Sequence, residues 1–388
     1  MKKISRKRVL HMLTRENTKQ LKGFAVLLML AHHLFAFSDR IPYGFDFSRN
    51  IFLSNTLTSF IGVFGKICVP IFMFLGGYGL YASCVYKEDN ENKIKNKFII
   101  KIVNLYKCYW KVFIIFVPLG ILFFSKQPQF SNENFGSSFS NVRTYNVIST
   151  FLGIETYFNY EWWFFKSYLF ALFEGFMFLE LFKNNKSIYK EVFVIILWYI
   201  IISSLLPNII SLCGLNSLTN NFWYLNLFCI TSCSILFFIG ICFSKYDIFS
   251  RFYKIIKDLS HIESIVISFI TFVLCFYVKA IINNNDLDIL IVPIVCFSVI
   301  VMINHFSLLA KGLLLLGNNS TNMWLTHSFY CYYFYPFVKI VYGSRNALIA
   351  FITLVVLSLI TSFLIDLSWK YVSKLYNQIH IFLLNKGY

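Results

Sequence analysis

The sequence predicts an all-α, polytopic membrane protein: a single transmembrane domain, residues 1–388, with about ten transmembrane helices and both termini in the cytoplasm. Three observations lead there. Apolar residues make up 57% of the chain and charged residues only 14%, against about 25% charged in a soluble domain. Nearly uncharged runs long enough to cross a bilayer recur from end to end. The loops between them alternate between rich and poor in lysine and arginine, the pattern of a positive-inside topology. The formal net charge of +17 sits in these short loops, so topology accounts for it and no nucleic-acid partner is expected. The cysteines lie mostly inside apolar spans without a CxxC pair; they read as small apolar residues, and neither a disulfide nor a metal site is expected.

Taken in order, the chain starts with a basic segment, residues 1–19, expected to be cytoplasmic. No small-x-small cleavage site follows the first apolar core, so that core reads as a retained helix rather than a signal peptide. Spans are expected at 20–38, 59–84, 105–124, 161–182, 188–211, 222–243, 262–282, 287–305, 319–339 and 346–369, the second and tenth long enough to tilt or kink. Loops 85–104, 183–187, 244–261 and 306–318 and the C-terminal tail carry the basic residues and are assigned to the cytoplasm. Loops 39–58, 125–160, 212–221, 283–286 and 340–345 fall outside. The longest of these, 125–160, is rich in Ser, Asn and Phe and is long enough to cover an outward-facing cavity.

The first span, KQLKGFAVLLMLAHHLFAF, carries the main chemical signal. An ionisable residue within a span is costly and marks a candidate site. Lys22 and His33 are eleven positions apart, so they share a helical face to within about 20° and stand about 16 Å apart along the axis. His32 points about 80° away from that face, toward lipid, another helix or the same cavity. Orientation puts Lys22 at the cytoplasmic mouth and His33 in the outer half of the membrane. The fourth span begins NYEWWFFKSYLF and brings Glu161 in from outside at a comparable level, with Lys166 about a turn deeper. A carboxylate there can fix a histidine tautomer and stabilise its imidazolium; the plainer reading is a favourable charge at a helix N-terminus. The ninth span, LGNNSTNMWLTHSFYCYY, puts His327 near mid-membrane, where it needs a hydrogen-bond partner or a wet cavity. Glu174, Glu180, Lys279 and Asp366 also lie in or near spans, without an assigned partner. Pro70, Gly76, Gly77 and Gly79 in the second span suit close helix packing or a narrow passage. No P-loop, GxSxG elbow or zinc motif is present.

Together, KQLKGFAVLLMLAHH, VPIFMFLGGYGLYAS, EWWFFKSYLF and LGNNSTNMWLTHSF resemble, in order, four segments of the integral-membrane acyltransferase family 3. In that resemblance Lys22 stands where the family usually has arginine, His33 is the motif histidine, Gly77 takes the glycine place and His327 is the late histidine. Where the family often has an Arg-x-x-Arg pair, this chain has Lys101 and Asn104; lysine keeps the charge without the bidentate fork. The resemblance implies an enzyme of the cell (inner or plasma) membrane that moves an acyl group, most often acetyl, from cytoplasmic acyl-CoA to a sugar hydroxyl of a cell-envelope or exported polysaccharide. It implies no permanently bound cofactor: acetyl-CoA or another acyl-CoA is a donor substrate, its phosphates met by Lys22 and Lys101 at the cytoplasmic mouth; His33 and His327 are the motif histidines, and the reading of the residues adds Glu161 as the third catalytic candidate. The partners expected are acyl-CoA, a glycan acceptor and the bilayer, with homo-oligomerisation left open. The competing reading is a transporter or flippase of glycan or lipid-linked intermediates without chemistry, against which stands the lack of a detectable inverted repeat.

Overall fold

Apolar runs become helices throughout. The computed structural model describes residues 13–49, 54–85, 91–127, 130, 139–219 and 222–385, and every regular element among them is helical. Residues 1–12 of the basic N-terminal segment and 131–138 of the long loop lie outside the described residues. In chain order the α-helices are α1 (Arg15–Phe35), α2 (Asn55–Gly65), α3 (Cys68–Val85), α4 (Glu91–Phe123), α5 (Thr144–Phe151), α6 (Trp163–Leu181), α7 (Ile188–Ile200), α8 (Leu206–Leu212), α9 (Asn216–Thr219), α10 (Phe222–Lys245), α11 (Ile248–Ile256), α12 (His261–Ile282), α13 (Asp288–His305), α14 (Ser307–Ser328), α15 (Tyr335–Tyr342) and α16 (Ala347–Asn385). Short 3-10 turns cover Ser38–Arg40 and Tyr160–Trp162, and π-helical turns cover Ile201–Leu205 and Phe329–Tyr333.

Several expected loops are helical, and the spans shift accordingly. Most of 85–104 is the first half of α4, so Lys101 sits on a helix rather than in a loop. Most of 306–318 is the first half of α14, and the expected span 319–339 is divided among α14, a π-turn and α15, with the break ahead of Pro336. Loop 244–261 contains α11, and α16 continues beyond 369 to Asn385. Polar or basic residues hid these helices, because a hydropathy signal measures membrane residence and not backbone conformation. The second span kinks as expected. It divides into α2 and α3 just before Pro70, which has no N–H to donate and is tolerated in a first turn.

Six helical stretches among the described residues are long and apolar enough to cross a membrane: Asn55–Cys84, Asn96–Phe123, Ile188–Leu212, His261–Ile282, Asp288–His305 and Ala347–Gln378. A bent pair, Cys233–Lys245 with Ile248–Ile256 at 66°, makes a seventh if taken as one span. The chain is therefore a multi-pass membrane protein. Helices α1, α6 and α14 are not in that set, and they are the ones that carry the candidate catalytic residues or directly follow them.

What holds these helices together is close backbone approach, which matters in lipid because apolar side chains gain little by leaving the bilayer. A Cβ on Gly23 would stand 2.0 Å from the Leu313 carbonyl oxygen, and one on Gly317 would stand 1.8 Å from that of Lys19. The α1–α14 crossing is thus glycine against backbone from both sides. Gly77 against the Phe237 carbonyl and Gly240 against that of Phe74 build the α3–α10 crossing in the same way. Gly77, and Gly76 against the Phe237 and Tyr168 rings, therefore serve helix packing, whereas a Cβ on Gly79 would meet nothing within 4 Å. Polar clamps finish the frame. Lys279 on α12 pairs with Asp288 on α13 at 2.7 Å, and Lys245 on α10 pairs with the fully buried Glu191 on α7 at 2.5 Å.

Candidate active site

Helix α1 begins at a Thr14 cap and runs without interruption to Phe35, carrying His33 in its last turn. His33 is 9% exposed. Its Nε2 lies 3.5 Å from Glu161 Oε2, and its ring centroid lies 4.7 Å from that of His327 at an interplanar angle of 46°. The structure brings together the three catalytic candidates from three separate elements. His32 goes elsewhere. Its Nδ1 is 2.7 Å from the Gly62 carbonyl, to which it donates. Gly62 and Gly65 have no room for a Cβ against α1, so His32 ties α2 to α1 beside the site.

Glu161 is held by the turn that precedes α6, and that turn is docked on the region of α14. Asn159, fully buried, donates from Nδ2 to the Ser328 hydroxyl (2.7 Å), while its Oδ1 accepts from the Glu161 N–H (3.0 Å). The Tyr160 N–H donates to the Tyr333 hydroxyl at 2.8 Å, and Trp162 Nε1 donates to the Leu325 carbonyl at 3.0 Å. These bonds explain why a carboxylate 5% exposed keeps one position. The plainer expectation, a charge at a helix N-terminus, also holds in part, because Glu161 lies immediately ahead of α6.

Two site residues were not read from the sequence. Arg40 Nη1 donates to Glu161 Oε1 at 3.0 Å, and its guanidinium stands 4.0 Å from the Phe37 ring centroid. Burial opposes the Arg40 charge, but Tyr332 and Glu161 beside it outweigh burial and raise its pKa, so it stays ionised. Its only sequence signal was a lone cation just after the first span. Tyr332 donates to the His33 carbonyl at 2.5 Å and lies 3.3 Å from His33 Nδ1. Nothing in YCYYFYP marks which tyrosine faces the site.

His327 has its Nδ1 2.7 Å from the Trp324 carbonyl. A carbonyl only accepts, so Nδ1 carries the proton and Nε2 of the neutral ring is an acceptor. That Nε2 is buried and has no hydrogen-bond partner among the described residues.

At the other end of α1, Lys22 and Lys101 of α4 are close enough to repel one another, with Lys19 adding to the effect. Neither Lys22 nor Lys101 has an ion-pair partner among the described residues. The four other charged residues singled out in or near spans are partnered: Lys279 with Asp288, Glu180 with Lys183 at 4.0 Å, Asp366 with Lys111 at 3.7 Å, and Glu174 with the Ser234 hydroxyl.

The family model of the acyltransferase domain Acyl_transf_3 matches residues 18–367, which include all four sequence segments and every residue of the cluster. No curated protein and no solved structure matches the chain.

Proposed function

The chain belongs to the acyltransferase family 3, and is therefore an acyltransferase with a multi-pass membrane fold; from that premise we propose that it moves an acyl group, acetyl being the simplest, from cytoplasmic acyl-CoA to a sugar hydroxyl of a cell-envelope or exported polysaccharide in the cell membrane. The observation that carries this reading is the meeting of His33, Glu161 and His327, with Lys22 eleven residues below His33 on the same helix. A proton acceptor thus stands about 16 Å from a cationic end. That separation suits a donor whose charged phosphates stay at one membrane surface while a long, thin arm carries its thioester inward.

In the proposed reaction the acceptor hydroxyl gives its proton to His33 Nε2 and its oxygen attacks the thioester carbonyl carbon. The tetrahedral intermediate collapses with cleavage of the carbon–sulfur bond. The thiolate takes the proton back from the His33 imidazolium and leaves as free CoA. Glu161, 3.5 Å from His33, stabilises the imidazolium while it exists. Arg40 balances Glu161 before and after transfer, so the buried site never holds an uncompensated charge. His327 Nε2, an acceptor with no hydrogen to give, does not stabilise the oxyanion; it is suited to accept from a second hydroxyl of the sugar, beside the one whose proton goes to His33.

This proposal includes the ten-span topology with cytoplasmic termini: α1, α6 and α14 complete the bundle, their polar residues facing the reaction path. The test is transfer of label from acetyl-labelled acetyl-CoA to a cell-envelope glycan fraction by the purified protein in lipid, with release of CoA thiol in equal amount. His33→Ala at equal expression is expected to abolish both. Near-normal transfer by that variant would remove His33 from the role of base. Absence of thiol release with every short acyl-CoA tried would remove the donor class.

A further inference from the structure

We propose that Tyr332 is the positioning residue that sets the tautomer of His33, and that the π-helical turn after α14 exists to deliver it. The proposal rests on the reading of His33 as the base.

A phenol has one hydrogen to give and oxygen lone pairs to receive. The Tyr332 hydroxyl spends its hydrogen on the His33 carbonyl, 2.5 Å away, which can only accept. Its contact with His33 Nδ1, 3.3 Å away, is then a hydrogen bond only if Nδ1 carries the proton and the phenol oxygen accepts it. Arg40 also hydrogen-bonds the Tyr332 side chain, and a guanidinium can only donate. All three contacts are satisfied together in one arrangement: Nδ1–H and Arg40 give to the phenol oxygen, and the phenol gives to the carbonyl. Nε2 of the neutral His33 is then unprotonated and faces Glu161 Oε2 at 3.5 Å.

That arrangement needs enforcing. A carboxylate beside Nε2 attracts the imidazole proton to itself, and the Nε2–H tautomer so formed cannot take a proton from a hydroxyl at that atom. Tyr332 supplies the counterweight, an acceptor on the opposite nitrogen. Glu161 is then left to act only after Nε2 has gained a proton, when an imidazolium faces a carboxylate.

Backbone geometry shows why an ordinary helix would not serve. His327 and Tyr332 are five residues apart, and five residues of α-helix turn about 500°, placing them about 140° apart. Both nevertheless contact the His33 ring. The Phe329–Tyr333 turn, closed by the Phe334 N–H on the Phe329 carbonyl at 2.8 Å, widens the helix so that the fifth residue returns toward the face of the first. Where the turn ends, Gln127 takes up freed backbone groups. Its Nε2 donates to the Tyr333 carbonyl at 2.7 Å, and its Oε1 accepts from the Tyr335 N–H at 2.6 Å.

The experiment reads the tautomer directly. Full-length protein labelled with 15N-histidine in lipid is compared by solid-state NMR as wild type and as Tyr332→Phe, with His33→Asn used to identify the His33 signals by subtraction. The expected result is Nδ1–H in the wild type and a shift to Nε2–H in Tyr332→Phe, with kcat lower by about 10- to 100-fold and the donor KM within about twofold. If Tyr332→Phe does not fold, 3-fluorotyrosine at position 332 keeps the ring and hydroxyl but weakens the oxygen as an acceptor, and a partial shift in the same direction is expected. The same His33 tautomer in the folded variant as in the wild type would overturn the proposal, whatever the activity. The expected tautomer shift in a protein that transfers no acyl group would leave the positioning role standing and count against the acyl-transfer reading alone.

Discussion

Glu161 is 5% exposed, accepts from Arg40 at 3.0 Å and faces His33 at 3.5 Å. These contacts separate two substitutions that look alike in sequence. Glu161→Gln keeps an acceptor for Arg40 but has no charge to stabilise an imidazolium. It leaves Arg40 without its anion, so it is expected to lower the melting temperature, though less than Arg40→Ala because Arg40 is the more exposed of the pair, and to lose about 10²-fold in kcat. Arg40→Ala leaves a buried carboxylate without its cation and is expected to cost about 3–5 kcal/mol of stability, seen as a lowered melting temperature in the same detergent. A Glu161→Gln variant with full activity would show that its charge plays no part in the proton transfer. At the far end of α1, Lys22→Ala is expected to raise the acyl-CoA KM about tenfold with kcat little changed, the loss of one charge-assisted contact. An unchanged KM would return Lys22 to the role of a topology anchor. His33, Glu161 and His327 were legible one by one because an ionisable group in an apolar run is conspicuous. Topology also put Glu161 level with His33, but did not give the contacts themselves: 3.5 Å and 4.7 Å separations between elements far apart in sequence are tertiary facts. Tyr332 was illegible because it is one of several tyrosines in a row, and only a π-turn, which no Gly or Pro within Phe329–Tyr333 announces, picks it out.

At the scale of elements, the site depends on how closely α1 and α14 approach. Gly23 and Gly317 are the second residues of the KG and LG pairs in the first and last sequence segments, and a Cβ on either would stand only 2.0 or 1.8 Å from a backbone oxygen. Gly317→Ala must separate the helices or tilt one of them, moving His327 relative to His33. A displacement of about 1 Å at reacting groups costs about 10²-fold. The variant is therefore expected to lose activity with secondary structure retained by circular dichroism; activity within a factor of about two of wild type would show that the crossing does not set the site. Gly76, Gly77 and Gly79 were read as packing signals, but Gly23 and Gly317 were not, because a single glycine in a span does not announce a crossing. The outer loop shows the converse. Helix α5 within it is held by side chains of α4, with Tyr109 and Trp110 donating to the carbonyls of Thr150 and Phe151 at 2.5 and 2.9 Å. A Ser- and Asn-rich composition concealed this order, because it is imposed by a neighbouring helix and not by local pattern.

For the whole molecule, composition announced a polytopic helical fold, and the structure bears this out with six apolar stretches of spanning length and a bent seventh. The helices that fall short of that standard, α1, α6 and α14, belong to the site. Polarity lowered their hydropathy for the same reason that it marks them as functional. The proposed transfer is directional: a thioester enters from the Lys22 end of α1, and a hydroxyl is acylated at the His33 end. Sealed vesicles of each orientation, containing the protein and cell-envelope glycan, with labelled acetyl-CoA supplied only outside, read that direction. Labelled glycan is expected from inside-out vesicles, none from right-side-out vesicles, and none from either with His33→Ala. Labelling from right-side-out vesicles alone, or labelling undiminished in His33→Ala, would contradict it.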